Sequence, residues 1–207
     1  MMPSPTRFTL GQVRAALRPT LPVAEEGLAG RAAAVAAVLR ERDGCVELLF
    51  IRRARRRGDP WSGHMAWPGG KREACDDTLL ACAIRETREE VGLDLAEGGE
   101  LAGALAVVRL YGRRPESLRC VAPYVFTVDQ TPELRLSGEV QEALWIPLSC
   151  FARWSSRAPW SWLLRWLLPV PLACRYQGRV VWGLTLWMLA DLLRRIGFRS
   201  GDGPLAA

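Results

Sequence analysis

Histidine is almost absent from this chain of 207 residues, in which His64 is the single one. This scarcity excludes any mechanism that needs two histidines. Ser-His-Asp chemistry would have to use His64, and the sequence contains no G-x-S-x-G turn to present a nucleophilic serine. Lysine is equally scarce, because Lys71 is the only one and arginine carries almost all of the positive charge. The net charge of +6 favours an anionic partner such as a nucleotide, nucleic acid or membrane surface, or reflects an arginine-rich composition alone.

The cysteines lack the spacing of a zinc site or a disulfide framework. No two of them form a C-x-x-C pair, and no group of histidines accompanies them. We therefore expect free thiols, mostly buried. The cysteines are Cys45, Cys75, Cys82, Cys120, Cys150 and Cys174.

Long apolar runs are lacking as well. Residues 1–21 contain no apolar core of the kind found in secretory signals. The most apolar stretch, 159–174, is interrupted by Arg165, Pro169 and Pro171, and it is shorter than the roughly 20 residues that span a bilayer. These absences predict a protein without a membrane span, located in the cytoplasm.

What the sequence does contain is enough apolar material for one α/β domain, since 49% of its residues are hydrophobic. We divide the chain into an N-terminal arm (1–30), a single domain (31–200) and a short tail (201–207). From about residue 150 the domain carries a tryptophan-rich elaboration.

Apolar periodicity and turn residues predict the elements of this domain. We expect helices at 10–17, 76–91 and 184–198, and strands on both sides of an Asp43-Gly44 turn, within 101–111, 121–129 and 142–148, and in a hairpin that turns at Gln177-Gly178. Asp76 or Asp77 is expected to cap the second helix, and Gly92 to end it. A loop is expected from Arg55 to Gly70.

The helix containing "AIRETREEVGL" concentrates negative charge on one face. At 100° per residue, Glu86, Glu89 and Glu90 lie within about 100° of one another. Its apolar residues cluster on a nearly opposite face: Leu80, Ile84, Thr87 and Val91. Carboxylates at close range attract hard divalent cations, chiefly Mg²⁺ or Mn²⁺, and without a cation their repulsion raises at least one pKa. The alternative is a solvated face stabilised by pairs such as Arg85 with Glu89.

A glycine pair upstream favours the metal site over the solvated face. Gly69 and Gly70 precede the helix at a spacing that brings a backbone turn against its N-terminal half. A carbonyl of this turn would complete the coordination of a metal ion, while nearby N–H groups would face phosphate.

Together these features resemble the Nudix box, G-x5-E-x7-R-E-U-x-E-E-x-G-U with U apolar. The segment from Arg85 to Leu93 matches its second half, with Thr87 at the first U. Asp77 stands where the family has its first glutamate, and the distance from Gly70 to Arg85 is one residue longer than in the general box. The resemblance implies an α/β/α sandwich with a mixed β-sheet and a loop–helix–loop metal site. It also implies hydrolysis of a nucleoside diphosphate linked to another moiety.

Carried over by position, the resemblance assigns roles to individual residues. The implied metal ligands are Glu86, Glu89, Glu90 and the carbonyl of Gly69, holding Mg²⁺ or Mn²⁺. The implied catalytic residues are Glu89, Glu90, Arg85 and Glu139. Arg85 would orient the glutamates, with Asp77 as a candidate partner, and Glu139 or Glu142 would serve as a further ligand or general base. A plain surface role for Glu139 stays open.

The region before the glycines is similar to the coenzyme A pyrophosphatase branch of this family. That branch carries L-L-T-x-R-S/A, then a spaced arginine and glycine, then F-P-G-G. In "LLFIRRARRRGDPWSGHMAWPGG" the matching residues are Leu48, Leu49, Arg52 or Arg53, Ala54, Gly63, Pro68, Gly69 and Gly70. Phe50 replaces the threonine and Trp67 the phenylalanine, and the loop is about one residue longer. The "VVWGLT" entry into the last helix is also similar, and the resemblance spans roughly residues 33–193. It implies cleavage of CoA or acyl-CoA into 3′,5′-ADP and 4′-phosphopantetheine.

Substrate contacts are expected upstream of the glycines. The candidate substrate residues are Arg52, Arg53, His64, Gly69 and Gly70, and the run Arg55, Arg56 and Arg57 would meet further phosphates or be solvated. A tryptophan cluster would stack on adenine, contact the pantetheine arm, fill the core or form a homodimer interface: Trp154, Trp160, Trp162 and Trp166.

Two other functions stay open at this point. One is hydrolysis of a different nucleotide, such as NADH, ADP-ribose, a dinucleoside polyphosphate or a damaged nucleotide. The other is a non-catalytic module with the same fold that binds a nucleotide or RNA, although binding alone does not need three such carboxylates. We expect a small-molecule nucleotide as the partner and no nucleic acid.

Overall fold

The computed structural model describes residues 9–17, 32–58, 61–110, 120–130, 132–152 and 173–197. The strands are β1 (Ala32–Arg42), β2 (Cys45–Arg53), β3 (Met65–Ala66), β4 (Gly69–Lys71), β5 (Glu100–Ala104), β6 (Val108–Arg109), β7 (Cys120–Val128), β8 (Val140–Pro147), β9 (Ala173–Tyr176) and β10 (Arg179–Trp182). The helices are α1 (Leu10–Leu17), α2 (Leu79–Val91), α3 (Leu95–Gly98) and α4 (Gly183–Arg195), with a 3₁₀ helix at Leu148–Ala152.

The β1–β2 hairpin confirms the predicted turn. Asp43 and Gly44 both have positive φ, 52° and 72°, as a two-residue type I′ turn requires. From Ala32 to Arg40 nearly every residue of β1 is buried, because alternate side chains enter two different apolar clusters. A strand buried on both faces reads as a continuous apolar run, which explains the sequence "AAAVAAVL".

The main sheet is mixed and divides around its central strand. β1 pairs parallel with β7 and antiparallel with β2, but the β2 pairing covers only residues 39–42 of β1. Residues 33–35 of β1 pair instead with β4, while the far end of β2 pairs with β3. β1 and β2 therefore separate beyond Leu39 and Leu48, and the segment 65–71 fills the gap between them.

Helices cover both faces of this sheet. One apolar cluster contains residues of α1, α4 and the 3₁₀ helix, and the other contains residues of α2 and the start of α3. The arrangement is the expected α/β/α sandwich with a mixed sheet. None of the helices in the described ranges has the length and apolarity needed to cross a bilayer.

Two expectations need correction, and a third is confirmed. Helix α2 begins at Leu79, and its cap is Thr78, whose Oγ1 accepts a hydrogen bond from Ala81 N at 3.0 Å, so neither Asp76 nor Asp77 caps it. The predicted loop 55–70 contains β3 and the start of β4, because strands of two or three residues leave no periodic signal. Gly92 ends α2 as expected, with φ 71°.

The expectation of free, mostly buried thiols is matched in part. All six are free in the structure, but Cys45 and Cys75 are exposed, whereas Cys82, Cys120 and Cys174 are buried. The tryptophan cluster at residues 154–166 lies outside the residues that the structure describes.

Candidate functional site

At the glycine pair, β4 packs closely between β1 and α2. A Cβ on Gly69 would lie 2.2 Å from the carbonyl oxygen of Ala34, and its φ of 150° is one that side chains rarely adopt. A Cβ on Gly70 would lie 2.4 Å from the carboxyl carbon of Glu86. A side chain at position 69 would meet the backbone of β1, whereas one at position 70 would displace the Glu86 carboxylate that lies against β4.

Glu90 is the most buried carboxylate of that helix, and its side chain is only 5% exposed. Its Oε2 accepts a hydrogen bond from Gly69 N at 2.9 Å, and its Oε1 lies 4.0 Å from Arg53 Nη1. The pKa of Glu90 is raised to about 7, chiefly by burial; the hydrogen bond from Gly69 opposes this rise, and the charge of Glu86 contributes to it. The repulsion expected from the sequence is therefore present, although burial has the larger effect.

Glu86 and Glu89 have different surroundings. Glu86 is partly buried, and burial raises its pKa against the opposing effect of Arg85, whose Nη2 lies 3.1 Å from its Oε1. Glu89 is 58% exposed and pairs with Arg85 at 2.9 Å. In this structure Glu89 points to the arginine, and it is absent from the cavity that Glu86 and Glu90 line.

Arg85 is held by Asp76, which corrects the expectation that Asp77 would be its partner. Nε and Nη2 of Arg85 contact the two carboxylate oxygens of Asp76, each at 2.9 Å. Asp76 is nearly fully buried, and the hydrogen bonds from Arg85 lower its pKa. Asp77 is exposed, and its backbone oxygen accepts a hydrogen bond from Arg72. The one-residue extension of the box is consistent with this shift of the partner by one position.

A cavity of about 400 Å³ opens beside these residues. Its charged part is formed by Glu86, Glu90, Glu139, Arg53 and Lys71, next to Gly69 and Gly70. Its remaining part is largely apolar and aromatic, formed by Trp61, His64, Leu110, Val121, Trp182, Leu184 and Met188, among others. Carboxylates, cations and an apolar wall therefore share one space.

Of the two later glutamates, the structure brings only Glu139 to the cavity. Its Oε1 pairs with Arg56 Nη2 at 3.0 Å, and both side chains are about half exposed. Glu142 lies on β8 and pairs with Arg179, so it does not line the cavity.

The remaining candidate substrate residues divide in the same way. Arg53 and His64 line the cavity, whereas Arg52 does not. Nε of Arg52 donates to the carbonyl of Gly63 at 3.4 Å. The ring of His64 packs against Trp182 at 4.7 Å between centroids and against Trp61 at 6.0 Å.

The donor chemistry of the cavity fits a hard divalent cation. Glu86 and Glu90 are oxygen ligands of the kind that Mg²⁺ and Mn²⁺ prefer, and burial, which raises both pKa values, disfavours their ionised forms unless a cation compensates the charge. In the part of the chain that is described, no three side chains of His, Cys, Asp or Glu are arranged as a closed metal site. The cavity therefore fits a divalent cation by the charge and the type of its ligand atoms.

Sequence reasoning missed the last wall of the cavity. Trp182 ends β10 and Thr185 lies in the first turn of α4, both more than 90 residues after α2 in the sequence. Thr185 Oγ1 donates to the carbonyl of Met65 at 3.2 Å. The similarity of "VVWGLT" to the coenzyme A pyrophosphatase branch was the only signal that pointed there.

The sequence of this chain is similar to a known protein family and to individual members of it. The NUDIX domain family matches residues 30–164, well over half of the chain. Uncharacterized protein C14C4.10c of Schizosaccharomyces pombe is 42% identical over 107 residues, which are 49% of this chain and 32% of that protein. Uncharacterized Nudix hydrolase NudL of Citrobacter koseri is 32% identical over 164 residues, 73% of this chain and 76% of that protein. The chain thus matches about a third of the first relative's length and three quarters of the second's.

Solved structures give weaker similarities. The NUDIX domain of Shewanella oneidensis NrtR, crystallised with ADP ribose, has a TM-score of 0.49 at 17% identity, over 80% of this chain and 87% of that one. A C. elegans Ap4A hydrolase binary complex has a TM-score of 0.46 at 22% identity, over 56% of this chain and 80% of that one. We draw nothing about the substrate of this chain from either.

Proposed function

The chain belongs to the Nudix family, and from that premise we propose that it hydrolyses the pyrophosphate bond of coenzyme A or acyl-CoA, giving 3′,5′-ADP and (acyl-)4′-phosphopantetheine. The family match and the Nudix hydrolase relative support a Nudix pyrophosphohydrolase. The observation that carries the proposal is the cavity in which Glu86 and Glu90 lie beside two cations and an apolar wall.

The acidic residues of α2 would hold the metal. Glu86 and Glu90 are the proposed carboxylate ligands, with the carbonyl of Gly69 beside them, and Glu89 would join after leaving Arg85. Bound there, Mg²⁺ or Mn²⁺ would stabilise the charge of the pyrophosphate and lower the pKa of a bound water. Arg85 would orient Glu86 relative to the segment before α2, because it forms ion pairs with Asp76 and Glu86 at the same time.

The other charged residues would act on the substrate directly. Arg53 and Lys71 line the same cavity as the carboxylates, so they are placed to contact the phosphate oxygens. Glu139 lines it from the turn before β8 and would serve as a further metal ligand or as the proton acceptor for the attacking water. The reaction would then depend on charge neutralisation and orientation, with no covalent step on the protein.

Two features support CoA over a simple nucleotide. The apolar and aromatic part of the cavity suits the pantetheine arm, which carries few charged groups. Arg55 and Arg57 are exposed on the segment after β2 and are available for an additional phosphate such as the 3′-phosphate of CoA. The similarity to the coenzyme A pyrophosphatase branch points the same way.

A substrate screen tests this proposal. Turnover of CoA, acyl-CoAs, NADH, ADP-ribose and dinucleoside polyphosphates would be measured with Mg²⁺ or Mn²⁺, with products identified by mass spectrometry. We expect CoA or an acyl-CoA to give the highest kcat/KM. If another nucleotide ranks far above CoA, the substrate assignment is wrong while the family assignment stands. Glu97→Gln, a change of an exposed residue of α3, is a matched control that should leave turnover unchanged.

A further inference from the structure

The backbone of Glu139 is fixed between β2 and the end of α2. Its carbonyl oxygen accepts a hydrogen bond from Ala54 N at 2.7 Å, just after β2 ends. Two residues earlier, Ser137 N donates to the carbonyl of Glu90 at 3.0 Å, which ties the same segment to α2. The side chain of Glu139 can therefore change direction without movement of the backbone that carries it.

Arg56 holds that side chain from the opposite loop. Nη2 of Arg56 lies 3.0 Å from Oε1 of Glu139, with exposures of 55% and 53%. The backbone of Arg56 is fixed too, because its N–H donates to Ser62 Oγ at 2.7 Å. The pair thus joins two anchored segments through two half-exposed side chains, one of which, Glu139, lines the cavity.

Glu139 is close to the acidic residues of α2 without joining them. It lines the cavity with Glu86 and Glu90, and its charge contributes to the raised pKa of Glu90. Yet the described residues contain no closed group of three potential ligands. Of the three glutamates that line the cavity, Glu139 is the one that Arg56 holds.

We propose that Arg56 is a positioning residue that keeps Glu139 at the rim, and that a phosphate group of the substrate takes over Arg56 and releases Glu139 toward Glu86 and Glu90. The inference rests on the proposed metal site and adds a link between substrate and metal binding. An ion pair between two half-exposed side chains is weak, so it is readily exchanged. A phosphate offers Arg56 a bidentate, more highly charged partner than one carboxylate does.

Mn²⁺ binding in the absence of substrate tests this link. The affinity would be measured by electron paramagnetic resonance of free Mn²⁺ for the wild type, Arg56→Gln, Glu139→Gln and the double variant. Because Arg56→Gln frees Glu139, we expect it to bind Mn²⁺ about 2- to 5-fold more tightly, the size expected for loss of a half-exposed ion pair. In the Glu139→Gln background the same change should have no effect, because the carboxylate that Arg56 restrains is absent.

The substrate side of the link has its own readout. Arg56→Gln should raise the KM for CoA several-fold while changing kcat little, because Arg56 contacts the substrate away from the reacting atoms. Arg57→Gln is the matched control for Mn²⁺ binding, since it removes the same charge from the same exposed segment, whereas the ion pair with Glu139 is made by Arg56.

Each result separates the inference from the proposed function. The role of Arg56 is overturned, without affecting the proposed function, if Arg56→Gln leaves the Mn²⁺ affinity unchanged. The same conclusion follows if Arg57→Gln raises the affinity equally, or if Arg56→Gln raises it equally in the Glu139→Gln background. Absence of Mn²⁺ binding by the wild type overturns the proposed metal site and this inference together. If the Mn²⁺ results are as expected and CoA is not cleaved, the inference stands and the substrate assignment fails.

Discussion

Replacing Glu90 by glutamine is expected to stabilise the metal-free protein at alkaline pH. The side chain is buried against Gly69, and Arg53, whose Nη1 lies 4.0 Å from Oε1, offsets only part of the cost of that burial. Glutamine keeps an oxygen that can accept the hydrogen bond from Gly69 N and removes the charge. The change therefore isolates the cost of burying an ionised group at the centre of the site.

The magnitude follows from the pKa of Glu90, which is raised in the folded protein from 4.5 to about 7, chiefly by burial. Between these two values the folded state binds more protons than the unfolded state, so the free energy of unfolding falls as pH rises. Since each pKa unit corresponds to about 1.4 kcal/mol, ionised Glu90 destabilises the fold by about 3 kcal/mol above pH 7. Below about pH 4.5 this contribution disappears, because Glu90 is then protonated in both states.

Urea denaturation in EDTA between pH 4.5 and 8.5 checks this reasoning. The wild type should lose stability across the window relative to Glu90→Gln, and the difference should level off above pH 8. Glu89→Gln is the control, because an exposed change of this kind typically shifts stability by no more than about 0.5 kcal/mol at any pH. Identical pH profiles for the wild type and Glu90→Gln would refute the claim that burial controls this carboxylate. Added Mn²⁺ should stabilise the wild type more than Glu90→Gln.

Two further substitutions test the arrangement around α2. Asp76→Asn should lower the free energy of unfolding by about 3 kcal/mol, because it leaves Arg85 without its buried partner. The control Asp77→Asn should change it by no more than about 0.5 kcal/mol. Equal effects of the two changes in urea denaturation would contradict Asp76 as the partner of Arg85. Gly70→Ala would place a methyl group 2.4 Å from the carboxyl carbon of Glu86, and displacing that carboxylate should weaken Mn²⁺ binding at least about tenfold without loss of circular dichroism. Wild-type Mn²⁺ affinity in Gly70→Ala would exclude Glu86 as a ligand.

The strands and helices with strong periodicity could be predicted from the sequence, but their fine boundaries could not. The pattern of "LACAIRETREEV" predicted α2, yet three nearby polar residues compete for its start, and Thr78 is the cap. The choice depends on where β4 turns into the helix, which is set by the pairing of Gly69–Lys71 with β1. That pairing joins residues far apart in the sequence, so no local pattern encodes it.

The acidic residues show the same limit within the candidate site. A helical wheel places Glu86, Glu89 and Glu90 on one face, and it cannot show which of them a neighbouring strand will cover. β4 lies over Glu86 and Glu90 and leaves Glu89 to Arg85 and solvent. Burial, and with it the raised pKa of Glu90, is therefore a tertiary property that the spacing of glutamates only makes possible.

The central claim is that the buried carboxylates of α2 support metal-dependent cleavage of a pyrophosphate bond. Its most direct test is the rate of CoA cleavage in Mn²⁺ by the wild type and by Glu90→Gln, with 3′,5′-ADP and 4′-phosphopantetheine quantified together. We predict equal amounts of the two products from the wild type, no cleavage in EDTA, and a loss of kcat of about 10³-fold or more in Glu90→Gln, whose fold is retained. Near-wild-type turnover by Glu90→Gln, or cleavage that continues in EDTA, would contradict it.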